Sequence, residues 1–447
     1  MPITSTIAIF DIGKTNKKLF LFDEDYNVVL EKSVQIAEIE DEDGDACENI
    51  EALKSFVYHS FDEVLSRKEF DIKAINFSTY GASFVIVNKK GESIAPLYNY
   101  LKPYPKDLTE QFYSKYGGEN LFSLETASPI LGSLNSGLQL YRLKNRKKAV
   151  FDSMHYALHL PQFISSLFTK DYFSDITSIG CHTALWNFNS NQYHRWVEDE
   201  SITKKLAPVV SSSTSVKVKW NDKELMSGIG LHDSSAALIP YLLNFNDPFI
   251  LISTGTWCIS LNPFNDEPLT ADELKQDCLC YYTFEGKPVK ASRLFAGNEH
   301  ENQVRRLATH FSKPGDFYKT VVYNPELLDD SGDEFSAIDL STFKSYEEAY
   351  HSLICNIVHK QRESAELILN AGNIKRIFVD GGFAQNSLFM NILAQAFPQL
   401  EVFAASMTQA TALGAALAIH DSWNTKPMRN DLISLKYFSD RKEAFNL

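Results

Sequence analysis

Apolar positions along the chain alternate between short dense runs and longer helical spacings. Thr6–Phe10, Lys18–Asp23 and Val28–Ile36 read as three successive strands, and an acidic loop follows from Glu38 to Asp45. From Ile50 to Leu65 the apolar residues Leu53, Phe56, Val57, Phe61, Val64 and Leu65 recur at helical spacing. Strand character returns over Ile72–Ser78 and Phe84–Val87, with the turn Tyr80-Gly81-Ala82 between them. The polar stretch from Asn244 to Pro248 then gives way to a new buried strand, which predicts a domain boundary. Residues 1–245 and 246–447 are the expected units, and their matching starts suggest a distant duplication. In the second unit the pattern predicts a polar surface excursion between Ser312 and Tyr346 and a long helix over Tyr346–Ala371. A strand over Ile374–Val379 and a small-residue helix over Thr408–His420 complete it. Strand pairs followed by helices predict a mixed α/β architecture.

Three of the strands run into turns built from Asp, Gly, Ser and Thr: Asp11-Ile-Gly13-Lys-Thr15-Asn16, Ser253-Thr-Gly255-Thr256-Trp257, and Asp380-Gly381-Gly382 followed by Asn386. Open backbone N–H groups beside small hydroxyls suit phosphate oxygens, and a carboxylate suits magnesium. Spread over both halves, the turns predict a nucleotide held in a cleft between two domains. Ala8–Thr15 falls one residue short of a Walker A loop. Ile9 and Phe10 continue a strand there and Leu19–Phe22 starts another, so the segment is a hairpin and Lys14 does not take the Walker lysine's role. Gly228-Ile-Gly230 lacks the third glycine and the preceding strand of a dinucleotide fingerprint.

Composition narrows the class. A length of 447 residues predicts two to three domains, and 44% hydrophobic with 22% charged residues is ordinary for a globular enzyme. A net charge of -14 argues against nucleic acid as the main ligand, while leaving room for a small phosphorylated one. Six scattered cysteines indicate no disulfide framework, and Cys278 and Cys280 read as two thiols on one strand face. Neither a signal peptide nor a membrane-length apolar run is evident, which predicts a cytoplasmic protein without a membrane partner.

Taken in order, the motifs resemble those of the FGGY carbohydrate kinases, in the actin, hexokinase and Hsp70 superfamily. Asp11–Asn16 resembles their first phosphate motif and Ser253–Trp257 their second. Asp380–Gly382 with Asn386 resembles their adenosine motif, and Thr411–Ala416 the helix after it. Gly230-Leu-His232-Asp233 is similar to their catalytic element, and Asp175–Gly180 to a sugar-side segment. The resemblance implies a two-domain α/β fold of the actin/hexokinase/Hsp70-like (ribonuclease H-like) kind with the ligand cleft between domains. It further implies ATP and Mg²⁺ as cofactors, a small-molecule sugar as partner, and leaves a homodimer open. Asp-x-Gly-x-Thr-Asn, Asp-Ile-Thr-x-x-Gly and Ser-x-Gly-Thr-Trp look most like the L-fuculokinase and L-rhamnulokinase branch. Ser83 stands where that branch carries a sugar-contacting Asp, and Lys18 where an Arg is usual.

The site residues follow from this resemblance. Asp233 is the expected general base, with an N-cap for the helix beginning at Ser234 as the alternative. His232 is expected at the sugar, or else as an ordinary buried histidine. Asp11 would orient magnesium, against a turn Asp bonded to its own backbone. Gly13, Lys14, Thr15, Asn16, Lys17 and Thr256 would cradle the phosphates. Gly381 and Gly382 would let the backbone approach the nucleoside, and Asn386 would bond the adenine. Asn298 is a nucleotide-side candidate in what reads as a surface loop. Ser83 and Asp175 complete the sugar side, with a cap as the alternative for Asp175. The expected activity is ATP-dependent phosphorylation of a terminal hydroxyl of a ketose, an L-fuculose/L-rhamnulose-like deoxyketose. The alternatives are kinases of xylulose, ribulose or glycerol, a nucleotide-dependent sensor, and a phosphohydrolase of the same fold.

Overall fold

A computed structural model describes residues 3–328, 334–369, 373–407 and 409–438. Two seven-stranded sheets organise these residues. In the first, Val28–Val34, Lys17–Asp23 and Thr4–Ile12 form an antiparallel meander, and Phe70–Thr79 adds in parallel to Thr4–Ile12. Lys223–Gly228 and Leu231–His232 both run parallel to Phe70–Thr79, and Ser215–Trp220 closes the edge. In the second sheet Pro288–Leu294, Cys258–Asn262 and Phe249–Thr254 repeat the antiparallel meander. Arg376–Gly381 and then Glu401–Ser406 add in parallel, with Cys278–Tyr282 and Ser434–Phe438 at the edges. With Cys278–Tyr282 set aside as an added edge strand, five strands thus share one order in both sheets: third, second, first, fourth, fifth. This is the two-domain α/β fold of the actin and hexokinase kind, and the repeated order bears out a duplication of pattern rather than of letters.

The central strands carry unbroken apolar runs because both faces are covered. Ala8, Phe10, Leu19, Leu21, Ile75 and Phe77 pack beneath the helix Ile50–Leu65, while Ile7, Ile9, Phe20 and Ala74 face the helix Ala410–Leu417. The latter crosses Asp233–Asn244 so closely that a Cβ on Gly414 would lie 2.6 Å from the carbonyl carbon of Ala236. Small residues make that approach possible. The Asn76 side-chain amide donates to the Ala415 carbonyl at 2.8 Å, and the Tyr26 hydroxyl meets His420 Nδ1 at 2.5 Å, tying the first sheet to the second half.

Several elements differ from expectation. Phe84–Val87 leaves the main sheet and pairs with Tyr156–His159. A layer of helices between residues 106 and 169, with its own aromatic core of Phe112, Tyr116, Tyr141 and Trp196, went unread because its apolar positions lack one clear period. The segment after Ser312 is not a solvent excursion throughout. It folds into isolated 3₁₀ turns that bury Phe335 and Leu340 against the second sheet's core. The long helix runs over Tyr346–Leu369, and Asn370 to Gly372 lie outside the described residues. The small-residue helix spans Ala410–Leu417, and Thr408, where it was expected to begin, also lies outside them. Among the described residues, no helix is long and apolar enough to cross a membrane.

Candidate active site

Equivalent strands of the two sheets end in equivalent bends. After Thr4–Ile12 the Gly13 N–H donates to the Asn16 carbonyl at 2.9 Å, and after Phe249–Thr254 the Gly255 N–H donates to the Trp257 carbonyl at 2.9 Å. Among the described residues, the N–H groups of Lys14, Thr15, Asn16 and Thr256 have no backbone acceptor, which leaves them free for an anion. The start of the helix Ala296–His310 holds the second bend. Asn298 N–H donates to the Thr256 carbonyl at 3.2 Å, and a Cβ on Gly297 would overlap the Gly255 carbonyl. Asn298 is therefore helical, not in a surface loop, and its side-chain oxygen accepts from Asn302.

The third bend is laced to the second. Gly381 has φ +80°, and a side chain there would lie 2.8 Å from the carbonyl carbon of Thr254. Gly382 N–H donates to the Thr254 carbonyl and Phe383 N–H to its hydroxyl, each at 3.0 Å. The glycine at 381 thus answers to the protein's own backbone, whereas nothing lies within 4 Å of a Cβ on Gly382. Asn386 caps the helix Ser387–Ala396 by accepting from Leu388 and Phe389 N–H, and donates to the Tyr350 hydroxyl at 2.8 Å. Its side chain is engaged on both sides by structure, so the expected adenine contact has a strong competitor.

On the opposite side, Leu231–His232 pairs with Ser78 and Thr79, next to the strand that carries Asp11. Asp233 is the first residue of its helix, and His232 occupies the capping position. Asp233 accepts from Ser234 N–H at 2.7 Å and lies 3.2 Å from His232 Nε2, with its side chain 34% exposed. Among the described residues no lysine or arginine pairs with it. Asp11 sits deeper. Burial, reinforced by the charge of Asp233 and opposed by that of Lys18 on the paired strand, pushes its pKa up to about 7. His232 is buried against Tyr281, with ring centroids 5.9 Å apart, and its Nε2 lies 3.2 Å from Cys181 Sγ. Burial lowers its pKa although Asp233 pulls the other way, so the imidazole is neutral at pH 7. Its Nδ1 is buried without a hydrogen-bond partner.

Asp175, expected on the sugar side or as a cap, takes the capping position of the short helix Ile176–Ile179. Fully buried, its carboxylate accepts from Thr177 and Ser178 N–H and from the Thr177 and Ser212 hydroxyls. The same Thr177 hydroxyl accepts from His232 N–H at 3.0 Å, so Asp175 braces the segment that leads into Asp233 from behind. Ser83 is buried in the wall beside Tyr80. Lys17, expected at the phosphates, is 1% exposed and pairs with Glu48 at 3.2 Å while donating to the Lys14 carbonyl at 2.7 Å. Lys14 likewise turns away from the bend to Glu38 and Glu48, at 2.5 and 2.9 Å. Glu48, which pairs with both lysines, is a residue of this site that the sequence reading missed. Its one signal was a lone acid inside the otherwise compact Ala46–Ile50 stretch. Arg293, also missed, lies over Trp257 at 5.3 Å and pairs with Asp277.

Two neighbouring carboxylates with a single nearby lysine make a site that a divalent cation would relieve. Among the described residues no cluster of three or more His, Cys, Asp or Glu could hold a metal alone. That fits Mg²⁺, which is commonly held by one or two carboxylates together with substrate phosphates.

Comparison with known proteins agrees with this geometry. Residues 6–238 match the model of the FGGY family of carbohydrate kinases, N-terminal domain, and residues 246–427 match that of carbohydrate kinase FGGY, C-terminal domain. No curated protein matches the chain. Among solved structures, a carbohydrate kinase from Novosphingobium aromaticivorans is 21% identical, with a TM-score of 0.79 over 98% of this chain and 94% of that one. Xylulose kinase from Lactobacillus acidophilus gives 16% and 0.77 over the same shares. Plasmodium falciparum glycerol kinase with ADP gives 16% and 0.73 over 94% and 90%. At such identities the likeness speaks for the fold, and the family models speak for the kinship. With both halves matched in order around the paired bends and the Asp11–Asp233 carboxylates, the chain belongs to the FGGY family of ATP-dependent carbohydrate kinases.

Proposed function

We propose that this kinase transfers the γ-phosphoryl group of ATP to a terminal hydroxyl of a ketose, an L-fuculose- or L-rhamnulose-like deoxyketose, with Asp233 as general base. One observation carries the reading: Asp233 keeps a partly exposed carboxylate, without a cationic partner among the described residues, at a helix start beside buried Asp11. In the reaction the acceptor oxygen attacks phosphorus and its proton passes to Asp233, while the bond from phosphorus to the bridging oxygen of ADP breaks. The helix start concentrates partial positive charge where the phosphoryl group arrives. Open N–H groups of the bends at Lys14–Asn16 and Thr256 hold the remaining phosphate oxygens. Mg²⁺, held by Asp11 and the nucleotide, would supply neutralisation of phosphate charge. The unit boundary falls between residues 245 and 246 in this reading.

The deoxyketose assignment is supported by the resemblance of Asp11–Asn16, Asp175–Gly180 and Ser253–Trp257 to that branch. Xylulose, gluconate or glycerol as acceptor is the second reading, favoured by the names of structural neighbours. A coupled assay of ADP formation over L-fuculose, L-rhamnulose, xylulose, ribulose, gluconate and glycerol decides. Acceptor-dependent ADP release supports the kinase, and the preferred acceptor separates the two readings. Equal release with no acceptor makes the protein a phosphohydrolase, and no release at all favours a sensor. Asp233→Ala is expected to abolish transfer while keeping ADP affinity within about twofold; more than a few per cent of residual activity removes Asp233 as base.

A further inference from the structure

Lys14 occupies the first phosphate bend, yet its side chain leaves that bend. The ammonium bonds Glu38 at 2.5 Å and Glu48 at 2.9 Å and stands 5.8 Å from the ring centroids of both Tyr80 and Tyr100. A lysine has three N–H donors, and two are used. Glu48, only 2% exposed, is fixed from behind by Lys17, whose own ammonium also holds the Lys14 carbonyl. Glu38 is 40% exposed and accepts a further bond from the Asn99 amide at 3.1 Å. The strap that carries both acids is itself anchored. Lys102 bonds Asp41, Asp43 and Asp45 at 2.5, 3.0 and 2.7 Å, and the Tyr98 hydroxyl donates to Glu42 at 2.6 Å.

This neighbourhood does not suit a triphosphate. Two carboxylates already neutralise the two lysines, and a polyanion would meet Glu38 before it met free positive charge. It suits an alcohol, which both donates and accepts. The Tyr80 hydroxyl is buried beside Ser83 and Glu48 without a hydrogen bond of acceptable geometry to either. Among the described residues the half-buried Tyr100 hydroxyl has no hydrogen-bond partner. Tyr100 packs edge-on to Tyr80 with ring centroids 6.0 Å apart. Tyr80 lies between Thr79, the strand partner of His232, and Gly81, where a Cβ would come within 2.9 Å of the His232 ring, so the two tyrosines adjoin the segment that carries Asp233.

We propose that the Lys14 side chain, with Tyr80, Tyr100 and Glu38, recognises the hydroxyl-bearing end of the acceptor that lies farthest from the reacting oxygen, and that its ammonium takes no part in holding ATP. The inference rests on the kinase reading above and concerns which substrate this residue serves. The acceptor's distal hydroxyls would take the third lysine N–H and donate to Glu38, with the tyrosine hydroxyls completing the ring of partners.

Lys14→Met tests it, because the stem is kept and the charge removed. For the preferred long acceptor, KM is expected to rise at least tenfold. The KM for ATP, and the ADP dissociation constant from calorimetry, should stay within twofold. Glycerol, a three-carbon acceptor without the distal hydroxyls of a ketohexose, should lose much less than the long acceptor, a discrimination that a merely structural role would not produce. Tyr100→Phe, which leaves the ion pairs intact, is expected to raise the long acceptor's KM several-fold and serves if Lys14→Met is unstable. A tenfold weaker ADP affinity with unchanged acceptor KM overturns the inference, as does an equal penalty on long and short acceptors. A wild-type enzyme with no acceptor-dependent ADP release overturns the kinase reading itself, and this inference with it.

Discussion

Replacing Gly297 by Ala sets two physical effects against each other. By helix propensity alone the change should stabilise Ala296–His310, since alanine is favoured over glycine by roughly 1 kcal/mol in a helix. The structure opposes this. The new Cβ would lie 2.9 Å from the Gly255 carbonyl carbon and 3.0 Å from the Thr256 carbonyl oxygen, and would overlap the Gly255 oxygen between them. These are backbone atoms, so no rotamer change removes the clash and the phosphate bend itself must retreat. Overpacking of this kind costs about 1–3 kcal/mol, more than the propensity gain. A shift of about 1 Å in a group that positions a reacting phosphate lowers the rate on the order of 10²-fold. Thermal unfolding should therefore show a lower Tm, and coupled ADP assays a kcat/KM for ATP reduced by about that factor. Gly382→Ala is the control for stability, because its Cβ meets nothing within 4 Å. A Gly297→Ala enzyme that melts higher and turns over normally would refute the reasoning.

Three other outcomes are expected. Thr256→Val removes a hydroxyl from the second bend and should weaken binding of a non-hydrolysable ATP analogue by about 1–2 kcal/mol; an unchanged dissociation constant in calorimetry takes the side chain out of the site. Lys102→Met leaves the buried carboxylate of Asp41 without its cation and should cost about 3–5 kcal/mol in urea unfolding, and an unmoved midpoint would contradict the anchoring of the strap. His159 is enclosed beside Phe84, and burial, with a smaller push from His232, drops its pKa to about 3. Because this folded value lies below the unfolded 6.5, the unfolded chain takes up the proton first. Stability is then fully present above pH 6.5 and is lost as the pH falls toward 3, by about 2 kcal/mol at pH 5. His159→Gln should accordingly lose less stability than wild type between pH 7.5 and 5; equal losses in urea titrations would refute this.

The strands were readable because each central one is a dense apolar run ending in a glycine turn, a pattern set by burial on both faces. The same logic located Asp11, Gly13, Gly255, Gly381 and Asp233 at the ends of strands or at a helix start. The helical layer between residues 106 and 169 escaped because its aromatic residues pack from several directions and leave no single period. What Asp175 and Asn386 do was present in the letters, since each is an Asx residue at a helix start that accepts from the N–H groups two and three positions on. The resemblance drew attention to ligands instead. The destinations of Lys14 and Lys17 could not be read at all. Their partner Glu48 lies more than thirty residues away, and only the folding of the acidic strap brings it under the first bend.

The crossing of Asp233–Asn244 over Ala410–Leu417 bears on hybrid enzymes. A fold made of two like halves invites exchange of one half between relatives. Here, however, the rod that begins with Asp233 comes from one half and rests at Ala236 on Gly414 of the other. Any donor half bringing a larger residue at that crossing would tilt the rod and carry its first residue off target. A graft into this enzyme must therefore carry both sides of the crossing together.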